Sequence, residues 1–571
     1  RSGYVFQGWF SGTIKGNELT DAVQWRNGDK VTEDVTLYAV WTTGDCTIRF
    51  QLNGAPGTMQ SIKVAKGRAP VLPDAPTWSG HTFLYWMSGD VDNGILKNAR
   101  IWVDGDTVTE DITLYAFWSG IPTDETLNGL TYYFPNSSGS FRYDENYQIP
   151  LERYQLMFGE TTRATELYNS RGTWGGSCFG MSSTSVMFFE GNVSTGSYRS
   201  GAKVPFDLHP TDASSQFTLT EFIEAMQVAQ NTPIGSQATW RNKDKIDDLF
   251  NAVKKGPVVV SMLHNVTYGG HAVVAYDVVE SSTETRLMIY DPNFPNTERY
   301  IPFTKTVKGG NAIYSWHYLM NDSIDYGTEY NYFISYISAS DINRIWAGRQ
   351  SSTSANTDAM NFLSLKTSNA TITDSAGNTV ATVKNGEITV VSSEVFPLLN
   401  IAPTSDGETA ANSSTAMWLP TGTYTVSNTG TGTLGVTMVN VDQSATVSTA
   451  ASSVTFLVDD SKATNSVQVD GAGKSYDITL SSTLDQGYKE VTLTGTTSAE
   501  TTAVAQISGK LYGTNLDTKG TLKVDGKSSD SSVLAGTVPN VSTTQPTKPT
   551  GTNPFTDVAS SAYYYDAVLW A

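Results

Sequence analysis

Residues 175–191 read GGSCFGMSSTSVMFFEG, and this stretch decides how the middle of the chain is understood. A cysteine is a nucleophile only as its thiolate, and a free thiol, with a pKa of about 8.5, is mostly protonated at neutral pH. Two local devices favour the anion: a helix N-terminus and a neighbouring imidazolium. The quoted stretch supplies the first. Gly175 and Gly176 allow close backbone approach, and Ser177 is placed to cap a helix. Cys178 falls in that helix's first turn, and Phe179, Val186, Phe188 and Phe189 give it apolar residues to bury. Taken alone, Cys178 reads equally well as a small hydrophobe on a packed helix.

The second device needs a histidine, and the chain has five. His81 stands where an earlier repeat has Tyr, which suits packing. His209 and His317 have no partner pattern around them. His264 and His271 flank the loop NVTYGG, and His271 opens the apolar run HAVVAYDVV (271–279) after two glycines that would let a substrate backbone pass. His271 is therefore preferred. TRLMIYD (285–291) reads as the return strand of a hairpin across the turn at 280–284. Directly opposed residues on such strands have Cβ atoms about 5 Å apart, which puts Asp291 or Asn293 beside His271. An orienting carboxylate or amide there would hold one ring nitrogen and leave the other for the thiol. Upstream, IDDLFNAV (246–253) sets Ile246, Leu249, Phe250 and Val253 on one helical face. Lys254, Lys255 and Gly256 suit that helix's end, and PVVVSM (257–262) follows as a buried strand.

Together, a Cys at a helix start, KKGPVVVSM, GGHAVVAYD and IYDPN over residues 121–345 resemble papain-like cysteine peptidases. The HAVV…YDP pattern is similar to bacterial members with an Asp third residue. The resemblance implies an α+β fold with Cys178 as nucleophile, His271 as base and Asp291 as orienter, acting on a protein or peptide substrate by acyl transfer. Members usually carry a Gln shortly before the Cys to bind the oxyanion. Here Gly172 stands six before Cys178 and no Gln lies between Gln155 and Cys178, so Asn169, together with the Cys178 backbone N–H, is the candidate stand-in. Loss of one such donor can cost about 3 kcal/mol of transition-state stabilisation. Two rivals remain: a surface adhesin with a degenerate papain-like domain, and a transamidase or cell-wall peptide hydrolase using the same triad.

The flanks place this region in a multidomain chain. GYVFQGWFSG (3–12) matches GHTFLYWMSG (80–89), and DKVTEDVTLYAVW (29–41) matches DTVTEDITLYAFW (106–118) at the same offset of 77. Val35, Leu37, Ala39 and Trp41, then Ile112, Leu114, Ala116 and Trp118, alternate as half-buried strands do. The second unit opens with CTIRFQLNG (46–54); the first lacks that strand, so the sequence reads as starting inside a repeat. These motifs resemble the Listeria–Bacteroides repeat of internalins and other surface proteins. That resemblance implies β-grasp-like modules over 1–41 (partial) and 46–118, with adhesive or spacer roles.

Residues 360–535 hold no Cys or His, and short alternating strands recur at 423–426, 436–439, 454–458, 476–480 and 491–495. They predict one or two antiparallel β-sandwiches. Residues 541–554 read as a Pro/Thr linker. FTDVASSAYYYDAVLWA (555–571) resembles the start of an S-layer homology module, an α-helical unit. That family grips cell-wall polysaccharide in sets of three, which implies a bacterial cell-surface location.

The charge balance of -19 disfavours nucleic acid, and no run of about 18 apolar residues could span a membrane. No Cys or His pair has metal-ligand spacing, so neither metal nor organic cofactor is expected. A bridge between Cys46 and Cys178, the only two cysteines, would have to cross a domain boundary and is disfavoured.

Overall fold

The computed structural model describes residues 5–539, apart from 17, 27–28, 43–45, 93–94, 121–123, 322–323, 350–359, 400–414 and 499. The linker expected at 541–554 and the S-layer-like segment at 555–571 lie outside the described residues. The chain is multidomain and rich in strands.

In the first repeat, Val5–Lys15 pairs antiparallel with Glu18–Trp25 on one side and Tyr38–Thr42 on the other. The strand expected from Val35 begins only at Tyr38, so Val35 and Leu37 precede it. The second repeat has five strands in the order Ile62–Val64, Cys46–Gln51, Ile112–Gly120, His81–Asp92, Ile95–Ile101. Cys46–Gln51 runs parallel to Ile112–Gly120, and this is the strand the first unit lacks. Leu114 and Ala116 alternate into the core with Ile48 and Val64. His81 stacks on Trp78 with ring centroids 3.6 Å apart, a packing role.

The middle region has a helical half and a sheet half. The central helix, Cys178–Phe189, is buried along its whole length except at Phe189, which is exposed rather than packed inward. Fixing each backbone residue costs about 1–2 kcal/mol, while each buried large apolar side chain returns about 1.5–3 kcal/mol. A helix with apolar side chains on every face therefore stands only because neighbours surround it. One neighbour is the helix Leu219–Ala229, capped by the reciprocal Thr218–Glu221 box. It comes so close that a Cβ at Gly180 would lie 2.1 Å from the Ile223 carbonyl oxygen.

The sheet half is a seven-stranded antiparallel sheet in the order Ile324–Gly327, Asn311–Asn321, Arg299–Lys308, Thr285–Tyr290, Gly270–Glu280, Val258–His264, Tyr332–Ile337. Its two edge strands are adjacent in sequence. Their Tyr326 and Tyr332 rings meet at 5.1 Å, so the sheet curls on itself. The helix Ile246–Val253 lies on it with Ile246, Leu249, Phe250 and Val253 all buried, and these join Val260, Val273 and Ile289 in one core.

Beyond residue 359 lie a nine-stranded and an eight-stranded sheet, antiparallel throughout. The five segments at 423–426, 436–439, 454–458, 476–480 and 491–495 fall within strands. The apolar core between these sheets is continuous with that of the helical half, running from Tyr85 through Phe179 to Val524.

Candidate active site

Cys178 is the first residue of its helix, as its glycine-flanked setting predicts. Gly176 has φ of 145°, a conformation open to glycine and rarely to other residues. Ser177 occupies the cap position, but its side chain caps nothing. Its hydroxyl instead accepts a bond from Trp174 Nε1 at 2.9 Å, and its amide donates to Asn136 Oδ1 at 2.7 Å. An amide side chain from 41 residues upstream therefore holds the nucleophile's loop. The same Asn136 donates from Nδ2 to Asn293 Oδ1 at 3.1 Å and from its backbone to the Pro292 carbonyl at 2.9 Å. It ties the loop before Cys178 to the loop after Asp291.

His271 is the second residue of its strand, paired with Met262 of Val258–His264. The preceding glycine has a structural reason: a Cβ at Gly270 would lie 1.8 Å from the Met262 carbonyl oxygen. Gly270 thus permits strand approach rather than the passage of a substrate backbone. On the other side of the strand, Val274 opposes Tyr290 after a bulge between Ala275 and Asp277. Extended three residues, that register would set Asn293 opposite His271. The chain leaves the strand after Tyr290, however, and the Asp291 carboxylate reaches the ring, with Oδ1 2.8 Å from His271 Nε2. Asn293 bonds this carboxylate through its backbone amide, which donates to the same Oδ1 at 2.8 Å. Tyr318, from the strand Asn311–Asn321, donates its hydroxyl to Oδ2 at 2.5 Å.

With Nε2 committed to Asp291, Nδ1 is left without a hydrogen-bond partner in the buried site. The Cys178 sulfur is near enough to act on the ring's proton affinity. Burial pulls the His271 pKa down, but the Asp291 charge and hydrogen bond, joined by Cys178, push it up to about 10. Burial raises the Asp291 carboxyl, yet the opposing pull of His271, Tyr318 and the Asn293 amide leaves it below its ordinary value. The arrangement therefore favours an imidazolium–carboxylate pair beside the Cys178 sulfur. All three side chains have no solvent exposure. The ring of buried Tyr326 lies nearly parallel to that of His271, at 6.0 Å between centroids. Its hydroxyl pKa is raised by burial first and then by the charge of Cys178.

The expected oxyanion donor is not where the sequence suggests. Asn169 ends the helix Thr162–Asn169 and faces a cavity of about 680 Å³ shared with Glu166 and Lys366, against the β-sandwich. The amide at the nucleophile's helix is that of Gln227, whose Oε1 accepts the Gly180 N–H at 2.8 Å. His209 packs on Tyr133. His264 turns its Nδ1 back to the Val266 amide. His317 does have a partner, Asp325, across the neighbouring strand. Cys46 and Cys178 are both free, in separate regions. Among the described residues, no cluster of three His, Cys, Asp or Glu could hold a metal, and no helix is long and apolar enough to cross a membrane.

The family model that matches covers the N-terminal part of the chain. Residues 1–40 and 47–117 match the Listeria–Bacteroides repeat domain. Internalin H of Listeria monocytogenes is 32% identical over 138 residues, covering 23% of this chain and 23% of its own length. A protein of Evansella cellulosilytica named "Putative membrane protein" is 29% identical over 133 residues, 23% of this chain and 18% of its own. The chain thus spans about a fifth of the length of these relatives. No solved structure matches it. The repeat region is of a kind found in surface proteins.

Proposed function

We propose that the middle region is a papain-like thiol peptidase, displayed outside a bacterial cell among surface repeats and held to the wall through S-layer-type modules. The observation that supports this reading best is His271, fixed by Asp291 at one nitrogen and left open at the other beside Cys178. The chemistry follows from that arrangement. The Cys178 thiolate attacks a peptide carbonyl, whose electron pair moves onto oxygen, with the Cys178 backbone N–H at the helix start as its donor. The His271 proton goes to the departing amine as the C–N bond breaks. Water then attacks the thioester, His271 takes its proton, and the thiolate is released, which restores the starting imidazolium–thiolate pair. Asp291 remains ionised and holds the ring in register. The three groups are sealed in this conformation, so substrate entry requires the site to open.

That sealing supports a second reading, in which the region is a degenerate enzyme serving adhesion, as the kinship of the repeats with internalin H would suit. The same triad would also serve transamidation or hydrolysis of cell-wall peptides. Labelling with iodoacetamide or an epoxide at pH 6 to 7, followed by peptide mapping, separates enzyme from adhesin. Cys178 should react much faster than Cys46; equal, slow labelling of both would remove the enzymatic reading.

A further inference from the structure

Cys178 belongs to the helical half and His271 to the sheet half, so the distance between them depends on how the two halves are held. The β-sandwich touches both. On the helical side, the buried Arg163 donates from Nε to the Asn440 carbonyl at 2.8 Å and from Nη2 to that of Met360 at 2.7 Å. Its guanidinium lies 5.3 Å from the Trp418 ring centroid. Next to it, Thr162 Oγ1 donates to the Asp442 carbonyl at 2.8 Å.

On the sheet side the contact is Tyr268, three residues before His271. Its φ of 53° is unusual for a bulky residue and persists only when the surroundings impose it. Those surroundings come from three directions. The Tyr268 amide donates to the His264 carbonyl at 3.0 Å within the loop. Its ring meets Trp240 of the helix Pro233–Arg241 edge-on at 6.1 Å. Its hydroxyl donates to the Ile388 carbonyl of the β-sandwich, 120 residues away, at 3.1 Å. Helical half, sheet half and sandwich therefore meet at one strained residue on the loop that delivers His271.

We infer that the β-sandwich is a brace for the cleft: gripping one half through Arg163 and Thr162 and the other through Tyr268, it sets the spacing of Cys178 and His271. This rests on the thiol-peptidase reading for its catalytic consequence, but not for its mechanical one. Tyr268 is then a positioning residue and the sandwich an obligatory part of the enzyme.

The test uses the full chain carrying Tyr268→Phe, which keeps the ring and removes one hydrogen bond. Amide hydrogen exchange across 264–271 should quicken about fivefold, the scale of one such bond. kcat on a casein substrate should fall by a similar factor with KM unchanged. Thr162→Val, which loosens the opposite grip, should also lower kcat without moving KM. Unchanged exchange in Tyr268→Phe, or variants that lose only thermal stability while kcat holds, would overturn the brace. If the parent neither cleaves casein nor alkylates Cys178 faster than Cys46, the peptidase reading fails instead. The exchange measurement then still decides whether the sandwich holds the loop.

Discussion

The sheet half contains two imidazole–carboxylate pairs of nearly equal length. His271 Nε2 is 2.8 Å from Asp291, and His317 Nε2 is 2.7 Å from Asp325. The first pair has no exposure at either side chain, whereas the second is 53% and 22% exposed. Distance therefore does not distinguish them; dielectric and company do. In water-like surroundings an ion pair is worth little, while inside the protein each charge needs a partner and attracts it strongly. Among the described residues the buried pair adds a third member, the Cys178 sulfur, and there Tyr318 holds the carboxylate's other oxygen. Burial turns a common surface motif into a poised one.

The largest expected difference comes from removing each imidazole. His271→Ala should cut casein hydrolysis by about 10³-fold or more, as loss of a triad member does. His317→Ala, measured in the same assay, should leave it within about twofold, since exposed pairs contribute little. Loss of activity in both would mean that the distinction by burial is wrong.

The second contrast is between the carboxylates. Asp291→Ala removes the largest influence that keeps His271 protonated, leaving burial opposed only by Cys178, so the ring's pKa drops. The alkaline limb of kcat/KM, expected near pH 10 in the parent, should move toward neutrality. Activity should fall by about 10²–10⁴-fold. Stability follows the same sign. The folded-state pKa of His271 lies above its unfolded value of 6.5. The pair's contribution is therefore complete below about pH 6.5 and fades as pH rises through about 10. A pH series of melting curves should show that loss in the parent and not in Asp291→Ala. Asn293→Ala should be milder than Asp291→Ala, because alanine keeps the amide that bonds Asp291 and loses only the side-chain bonds to Asn136 and Met320, and Asp325→Ala should leave the pH profile in place.

The smallest effect sharpens the comparison from the side of the second donor. Tyr318→Phe deletes one hydrogen bond to a buried carboxylate and should cost about 1.5–3 kcal/mol in denaturant unfolding. The alkaline limb should stay near its parent position, because the charge on Asp291 is retained.

The parts of this site that were legible in the sequence are those built from local pattern. Cys178 sits between glycines and an apolar run, the face Ile246–Val253 repeats at helical spacing, and the hairpin turn at 280–284 brings residue 271 near 291. The parts that were hidden arrive from elsewhere in the chain. Tyr318 comes from two strands further along, Tyr326 from the sheet's far edge, and Asn136 from a loop upstream of the nucleophile; none belongs to a periodic signal. Gly270 was misread because a glycine needed by a neighbouring carbonyl looks the same in sequence as one left for a ligand. Asn169 was misplaced because its helix turns toward the β-sandwich, a packing decision made by Arg163 and residues nearly 200 or more positions away. The repeats were legible because they occur twice.

The sealing of Cys178 has one more consequence. A thiol held beside an imidazolium is also the kind of thiol that peroxide attacks first, and its path to sulfenic and then sulfinic acid is short once an oxidant reaches the sulfur. With no sulfur surface exposed, the resting protein denies an oxidant the approach it denies a substrate. On the proposed reading of a thiol peptidase outside a cell, where no reducing pool would restore the thiol, durability and turnover would pull in opposite directions. Every opening that admitted a peptide would also expose the sulfur to irreversible damage, and the time spent closed would set how long such an enzyme lasts.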